Sequence, residues 1–143
     1  MSLRNSATRY VATAAPSALL REIVQKMRDQ DVGSVVIVSH RRPVGIITDR
    51  DLVMRVIGEG KDPNTVRADS VMTTDIATVP ETMDALLAAA LMRERGVRRL
   101  PVVDEQGCLA GIVTLDDLLC HVRHELDELA DVIAPLPFPH EGG

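Results

Sequence analysis

The chain has 143 residues, a formal net charge of -5 and 1% aromatic residues, with Tyr10 and Phe138 as its only rings. An acidic balance without a stacking platform argues against nucleic acid as a partner, and the apolar runs, such as residues 85–92, are too short to span a bilayer. Cys108 and Cys120 make no spacing motif and read as free thiols of a reducing, cytoplasmic compartment, and residues 2–11 hold no continuous apolar stretch of an export signal.

In chain order, residues 11–14 read as a short strand, and Ser17 as the cap of a helix carrying Leu19, Leu20, Ile23, Val24 and Met27 on one face. Gly33 ends that unit. Residues 35–38 form a buried strand, Arg41-Arg42-Pro43 a turn, and residues 44–48 the second strand of a hairpin. A helix over 49–57 is broken by Gly58, Gly60 and Pro63, and residues 61–67 make a polar connector. The order then recurs: strand 76–79, helix 82–95, strand 99–103, strand 109–114 and a closing helix.

The recurrence is a duplication. Gly45-Ile46-Ile47-Thr48-Asp49-Arg50-Asp51-Leu52 returns 66 positions later as Gly111-Ile112-Val113-Thr114-Leu115-Asp116-Asp117-Leu118. Before the hairpin turn the offset is 65: Val11-Ala12-Thr13 meets Ile76-Ala77-Thr78, and residues 32–38 meet 97–103. One extra residue in a polar turn changes little, because hairpin loops vary in length. Each half, about 60 residues, is marginal alone, so the halves fold against each other.

Two features depart from strict repetition. The closing helix continues Leu115, Leu118, Leu119, Val122, Leu126, Leu129 and Ile133 at three-four spacing well past the stop that Gly58 imposes on the first copy. A homodimer across a twofold axis would bury that stripe, as would packing back onto the same chain. The alanines at 85, 88, 89 and 90 offer a small-residue surface for a close helix, or simply high helix propensity.

These residues resemble the paired cystathionine β-synthase domain, or Bateman module, whose βαββα repeats carry a Gly-x-x-Thr-x-x-Asp signature that both copies match. The resemblance covers roughly residues 9–123, includes Val97-Arg98-Arg99-Leu100-Pro101-Val102-Val103-Asp104 in the family's second-strand style, and extends to small bacterial proteins made of this pair alone. It implies an α/β (α+β) fold of two βαββα repeats packed by pseudo-twofold symmetry. The repeats would occupy 9–58 and 71–123, joined by a connector at 59–70, with a helix extension at 124–134 and a flexible tail at 135–143. Residues 70–73 lead into the second copy in the familiar way, whereas residues 2–8 offer the first no matching apolar lead.

The implied function is regulatory ligand sensing without catalysis: an adenosine-containing nucleotide of the AMP, ADP or ATP class, or S-adenosylmethionine, in clefts between the repeats. Asp51 and Asp117 match the family's ribose-binding acid, and a carboxylate can accept from two vicinal hydroxyls. Thr48 and Thr114 match its phosphate-side hydroxyl, and Thr13 and Thr78, at equivalent places in the first strands, join the candidate set. Helix capping also explains each Thr and Asp, and a turn or a close approach explains Gly45 and Gly111.

Arg98 and Arg99 are suited to phosphate, but the first copy has Gly33 and Ser34 there, and Arg50 is matched by Asp116. The clefts therefore differ in charge, and the one with Thr48, Asp51 and Arg99 is expected to prefer the more phosphorylated ligand. Arg93 and Arg95 read as a solvated helix end balanced by Glu94 and Asp104. Cys120, His121, His124 and Glu128 supply too few convergent ligands for a metal, so Cys120 is expected to pack and the histidines to face water. The alternative function is a protein-interaction adaptor of the same fold with vestigial clefts, and its effector is not legible.

Overall fold

The computed structural model describes residues 2–133, so the tail at 135–143 and the last residue of the helix extension lie outside the described residues. The first repeat comprises β1 (Thr13–Ala14), α1 (Leu20–Gln30), β2 (Ser34–Ser39), β3 (Arg42–Thr48) and α2 (Asp49–Asp51), which runs on as a π-helix, Leu52–Ile57. The second comprises β4 (Val79–Pro80), α3 (Ala85–Arg95), β5 (Arg99–Val103), β6 (Leu109–Thr114) and α4 (Leu115–Ile133). Each repeat builds a three-stranded sheet, ordered β1-β2-β3 or β4-β5-β6, with its first strand parallel to the second and the hairpin antiparallel. The registers correspond: Ile37 lies opposite Gly45, and Val102 opposite Gly111.

Helix starts differ from the sequence expectation because other side chains supply the caps. Ser17 sits in a turn and α1 begins at Leu20, where the Glu22 carboxylate accepts from the Leu19 N–H at 3.2 Å. Likewise Asp84, rather than Thr82, caps α3 by accepting from Leu86 N–H at 3.1 Å. The expected first strands shrink to Thr13–Ala14 and Val79–Pro80.

The first hairpin turn is also displaced. His40 (φ 51°) and Arg41 (φ 67°) make it, and Arg42 pairs with Ser39. Two left-handed central residues match the twist of the flanking strands. Pro43 then falls inside β3, a margin strand that tolerates a missing N–H. In the second hairpin Asp104 Oδ1 accepts from the N–H groups of Gln106 and Cys108, both at 2.9 Å, and Gly107 (φ 80°) completes the longer loop.

Two cores form, one per repeat, and the segments preceding the repeats are exchanged between them. Ala68 and Val71, next to the 3-10 turn Ala68–Ser70, join Leu20, Ile23, Val35, Ile37 and Ile47 in the first core. Leu3, fully buried, joins Val79, Ala88, Leu100 and Val113 in the second. Backbone bonds fix the exchange: Ile46 and Thr73 bond reciprocally at 3.0 Å, as do Thr8 and Ile112 at 2.8 and 3.0 Å. The polar-looking lead 2–8 is thus anchored by one leucine, and on the far repeat. A third cluster, Val36, Ile46 and Ile112 with Val11, Val38, Ile76 and Leu109 against it, seals the halves together.

The alanines of α3 divide by face. Ala85 and Ala88 are buried in the second core and Ala90 is exposed. Of the stripe on α4, Leu118 is buried, while Leu119, Leu126, Leu129 and Ile133 are 53–62% exposed, so packing back onto the described chain does not cover it.

Candidate functional site

Both strand-to-helix junctions are closed by reciprocal caps. At the first, Asp51 N–H donates to Thr48 Oγ1 at 3.2 Å, while Asp51 Oδ2 accepts from the Thr48 N–H at 2.9 Å and from its hydroxyl at 3.1 Å. At the second, Asp117 N–H donates to Thr114 Oγ1 at 3.1 Å and Asp117 Oδ2 accepts from the Thr114 N–H at 2.9 Å. Capping is therefore real in both copies, and it uses one carboxylate oxygen of each acid. In the first copy the other oxygen, Asp51 Oδ1, has among the described residues only the Arg55 Nε at 3.9 Å as an ion partner.

That first junction opens onto a cavity of about 560 Å3 between the repeats, a volume suited to a small-molecule ligand. Thr48, Asp51 and Arg50 line it from the first repeat, and Arg98 and Arg99 from the second. Ile46, Ile76, Val97 and Leu100 supply aliphatic wall. The junction thus gathers five of the candidate site residues. Thr13, Thr78, Thr114 and Asp117 lie outside this lining: Thr13 pairs with Val36 and its carbonyl accepts from Lys26 Nζ.

Several lining residues escaped the sequence reading. Asp49, Thr73, Asp75 and Glu94 face the cavity, and Arg95 pairs with Asp75 at 3.5 Å rather than with Glu94 or Asp104. Asp49 could have been noticed, since its counterpart in the repeated phrase is Leu115. Thr73 and Asp75 arrive only through the exchange of lead segments. Among the described residues, no side-chain ion partner lies within reach of Arg50, Arg98 or Arg99, so the cavity presents three uncompensated guanidiniums.

The glycines serve the exchange. A Cβ on Gly111 would stand 2.7 Å from the Thr8 carbonyl oxygen, and one on Gly45 would meet Met72 Sδ at 2.5 Å and the Thr73 oxygen at 3.1 Å. Of the two explanations open from the sequence, close backbone approach is the one these contacts require.

Two last-helix side chains depart from their expected environments, and His124 keeps its own. Cys120 is exposed, whereas the His121 side chain is only 17% exposed, with Nε2 3.4 Å from Glu125 Oε1. His124 is exposed beside Glu128 at 3.1 Å. Among the described residues no three metal-ligating side chains converge. His40 contacts Ser39 in its turn, Cys108 is a half-buried free thiol, and His140 lies outside the described residues.

The CBS domain family model matches the chain twice, over residues 4–58 and 68–124. The chain belongs to the CBS domain family. Each CBS match begins within the lead segment that packs on the opposite repeat. The CBS domain-containing protein YhcV of Bacillus subtilis is 34% identical over 117 residues, covering 82% of each chain. An uncharacterized protein of Methanopyrus kandleri is 46% identical over 120 residues, covering 83% of this chain and 61% of its own length, so the chain spans less than two thirds of that relative. The structure of a CBS domain protein from Pyrobaculum aerophilum complexed with AMP has a TM-score of 0.78 at 28% identity, covering 92% of this chain and 99% of that one. No helix among the described residues is long and apolar enough to cross a membrane.

Proposed function

We propose that this CBS pair is a regulatory module that binds an adenosine-containing nucleotide in the cleft at Thr48 and Asp51, and reports occupancy by a change of conformation or of dimer. The carrying observation is the convergence of Asp51 Oδ1 with Arg50, Arg98 and Arg99 on one cavity. A carboxylate oxygen accepts from ribose hydroxyls, and unpaired guanidiniums bind phosphate. The AMP complex of the Pyrobaculum relative supports the same ligand class.

By the repeat correspondence, a cleft at Thr114 and Asp117 would have Gly33 and Ser34 at the positions of the two arginines and Asp116 at that of Arg50. It therefore takes the less charged ligand of the two, or none. Ligand binding to the folded state alone stabilises it by about 2.7 kcal/mol at a hundred times the dissociation constant. Thermal scans with AMP, ADP, ATP and S-adenosylmethionine test the reading, and a melting temperature that none of them moves would overturn it.

The exposed apolar stripe of α4 favours a homodimer of this module, since four large aliphatic side chains there gain by association. The same stripe supports the second reading, an adaptor that captures a protein effector while its clefts stay empty.

A further inference from the structure

Two acids on the cavity wall have a cationic partner: Asp51 has Arg55, and Asp75 has Arg95. Asp49 and Glu94 have none among the described residues, and of these two Asp49 lies in the strand-to-helix junction beside Asp51. Asp49 Oδ1 accepts from the Arg50 N–H at 2.9 Å, and no cationic side chain among the described residues comes within ion-pair distance of its carboxylate.

The other oxygen occupies a definite place. Asp49 Oδ2 lies 3.3 Å from the point where a Gly33 Cβ would stand, and Arg99 Nη1 lies 3.5 Å from that same point. Carboxylate and guanidinium thus flank one patch of bare backbone. A phosphate accepted by Arg99 on this patch sits beside a fixed negative charge. Position 49 is held by the fold, because its N–H donates to the Gly33 carbonyl at 3.0 Å, as the Leu115 N–H does to Arg98 at 2.8 Å. The equivalent side chain in the second copy is the aliphatic Leu115, which packs against the second core. The junction can therefore be built without a carboxylate.

We infer that Asp49 is a specificity-determining residue that limits the phosphate number of the ligand in the Asp51 cleft, favouring a nucleoside monophosphate over a triphosphate. This inference rests on the nucleotide-binding reading, and it narrows the expected preference of this cleft for the more phosphorylated ligand to one relative to the second cleft. A monophosphate leaves the short array of Arg50, Arg98 and Arg99 to offset Asp49. A triphosphate brings about twice the charge or more into the same neighbourhood, where repulsion in a partly enclosed site is weakly screened.

The test is calorimetric titration of wild type, Asp49→Asn and Asp49→Ala with adenosine, AMP and ATP in magnesium-free buffer at low ionic strength. Asparagine keeps the Oδ1 acceptor for Arg50 N–H, so the junction stays intact, and circular dichroism checks the fold. Wild type should bind AMP more tightly than ATP. Asp49→Asn should tighten ATP about tenfold, with AMP changed less than about threefold and adenosine unchanged. An ATP-to-AMP affinity ratio that stays constant across the three proteins refutes the role of Asp49 while leaving nucleotide binding standing. Absence of heat with every ligand on wild type removes both.

Discussion

Arg55 donates from Nη1 to the carbonyl oxygen of Val71 at 3.0 Å, while its Nε lies 3.9 Å from Asp51 Oδ1. One guanidinium, projecting from the π-helix, therefore ties the exchanged connector to the acid of the cleft. The second repeat lacks this tie. Its counterparts are His121 and Ser6, and Nε2 of the one and Oγ of the other are the buried side-chain polar atoms without a hydrogen-bond partner among the described residues. Glu125 stands 3.4 Å from His121 Nε2 without hydrogen-bond geometry.

Arg55→Met should accordingly destabilise the protein by about 1 kcal/mol, a charge-assisted bond discounted for the partial exposure of the guanidinium. Urea denaturation at unchanged m-value measures it. Hydrogen exchange should show the loss in residues 68–73, and an unaltered exchange pattern there would contradict the tie.

Gly111→Ala should be more damaging than Gly45→Ala. The first pushes a methyl against a backbone oxygen 2.7 Å away, whereas the second first meets the flexible end of Met72. Overpacking of this kind costs about 1–3 kcal/mol. Chemical denaturation of both variants ranks them, and Gly111→Ala should also speed exchange at the Thr8 and Ile112 amides.

Thr48→Val and Thr114→Val remove matching caps and should each cost about 1 kcal/mol. Their ligand effects should diverge, because only Thr48 lines the described cavity. Melting and AMP titration of the pair separate cap from contact; equal losses of affinity would count against the cleft assignment.

Asp51→Ala should weaken AMP binding at least about tenfold, the scale of lost charge-assisted hydrogen bonds. Asp117→Ala should leave the affinity of the tighter site unchanged. Titration calorimetry of the two variants gives the answer, and matching affinities would mean that the clefts are equivalent.

Truncation after Val122 removes Leu126, Leu129 and Ile133, the exposed end of the α4 stripe. Sedimentation velocity should show a shift from dimer to monomer with AMP binding retained. A truncated protein that sediments like the full chain would exclude this stripe as the dimer face.

The second hairpin was the most legible part of the fold. Strands 99–103 and 109–114 fall where alternation and turn residues place them, because those signals are local. Helix starts were less so: any acceptor near the first turn can satisfy its N–H groups, and Glu22 and Asp84 did so in place of Ser17 and Thr82. The lead segment was least legible, since a single buried Leu3 carries no periodicity.

By itself the sequence determined the duplication, written as a phrase repeated 66 positions on, and the βαββα order and paired Thr–Asp junctions, written in spacings shorter than one hairpin or helix. The grouping of Thr48, Asp51 and Arg99 in one cleft came from the family resemblance. Only the tertiary structure brought Thr73 and Asp75 into the same wall and placed Asp49 beside Arg99. Those partners are far apart along the chain, and their meeting depends on burial of Leu3 and Val71 in opposite cores, a long-range choice that no local pattern encodes.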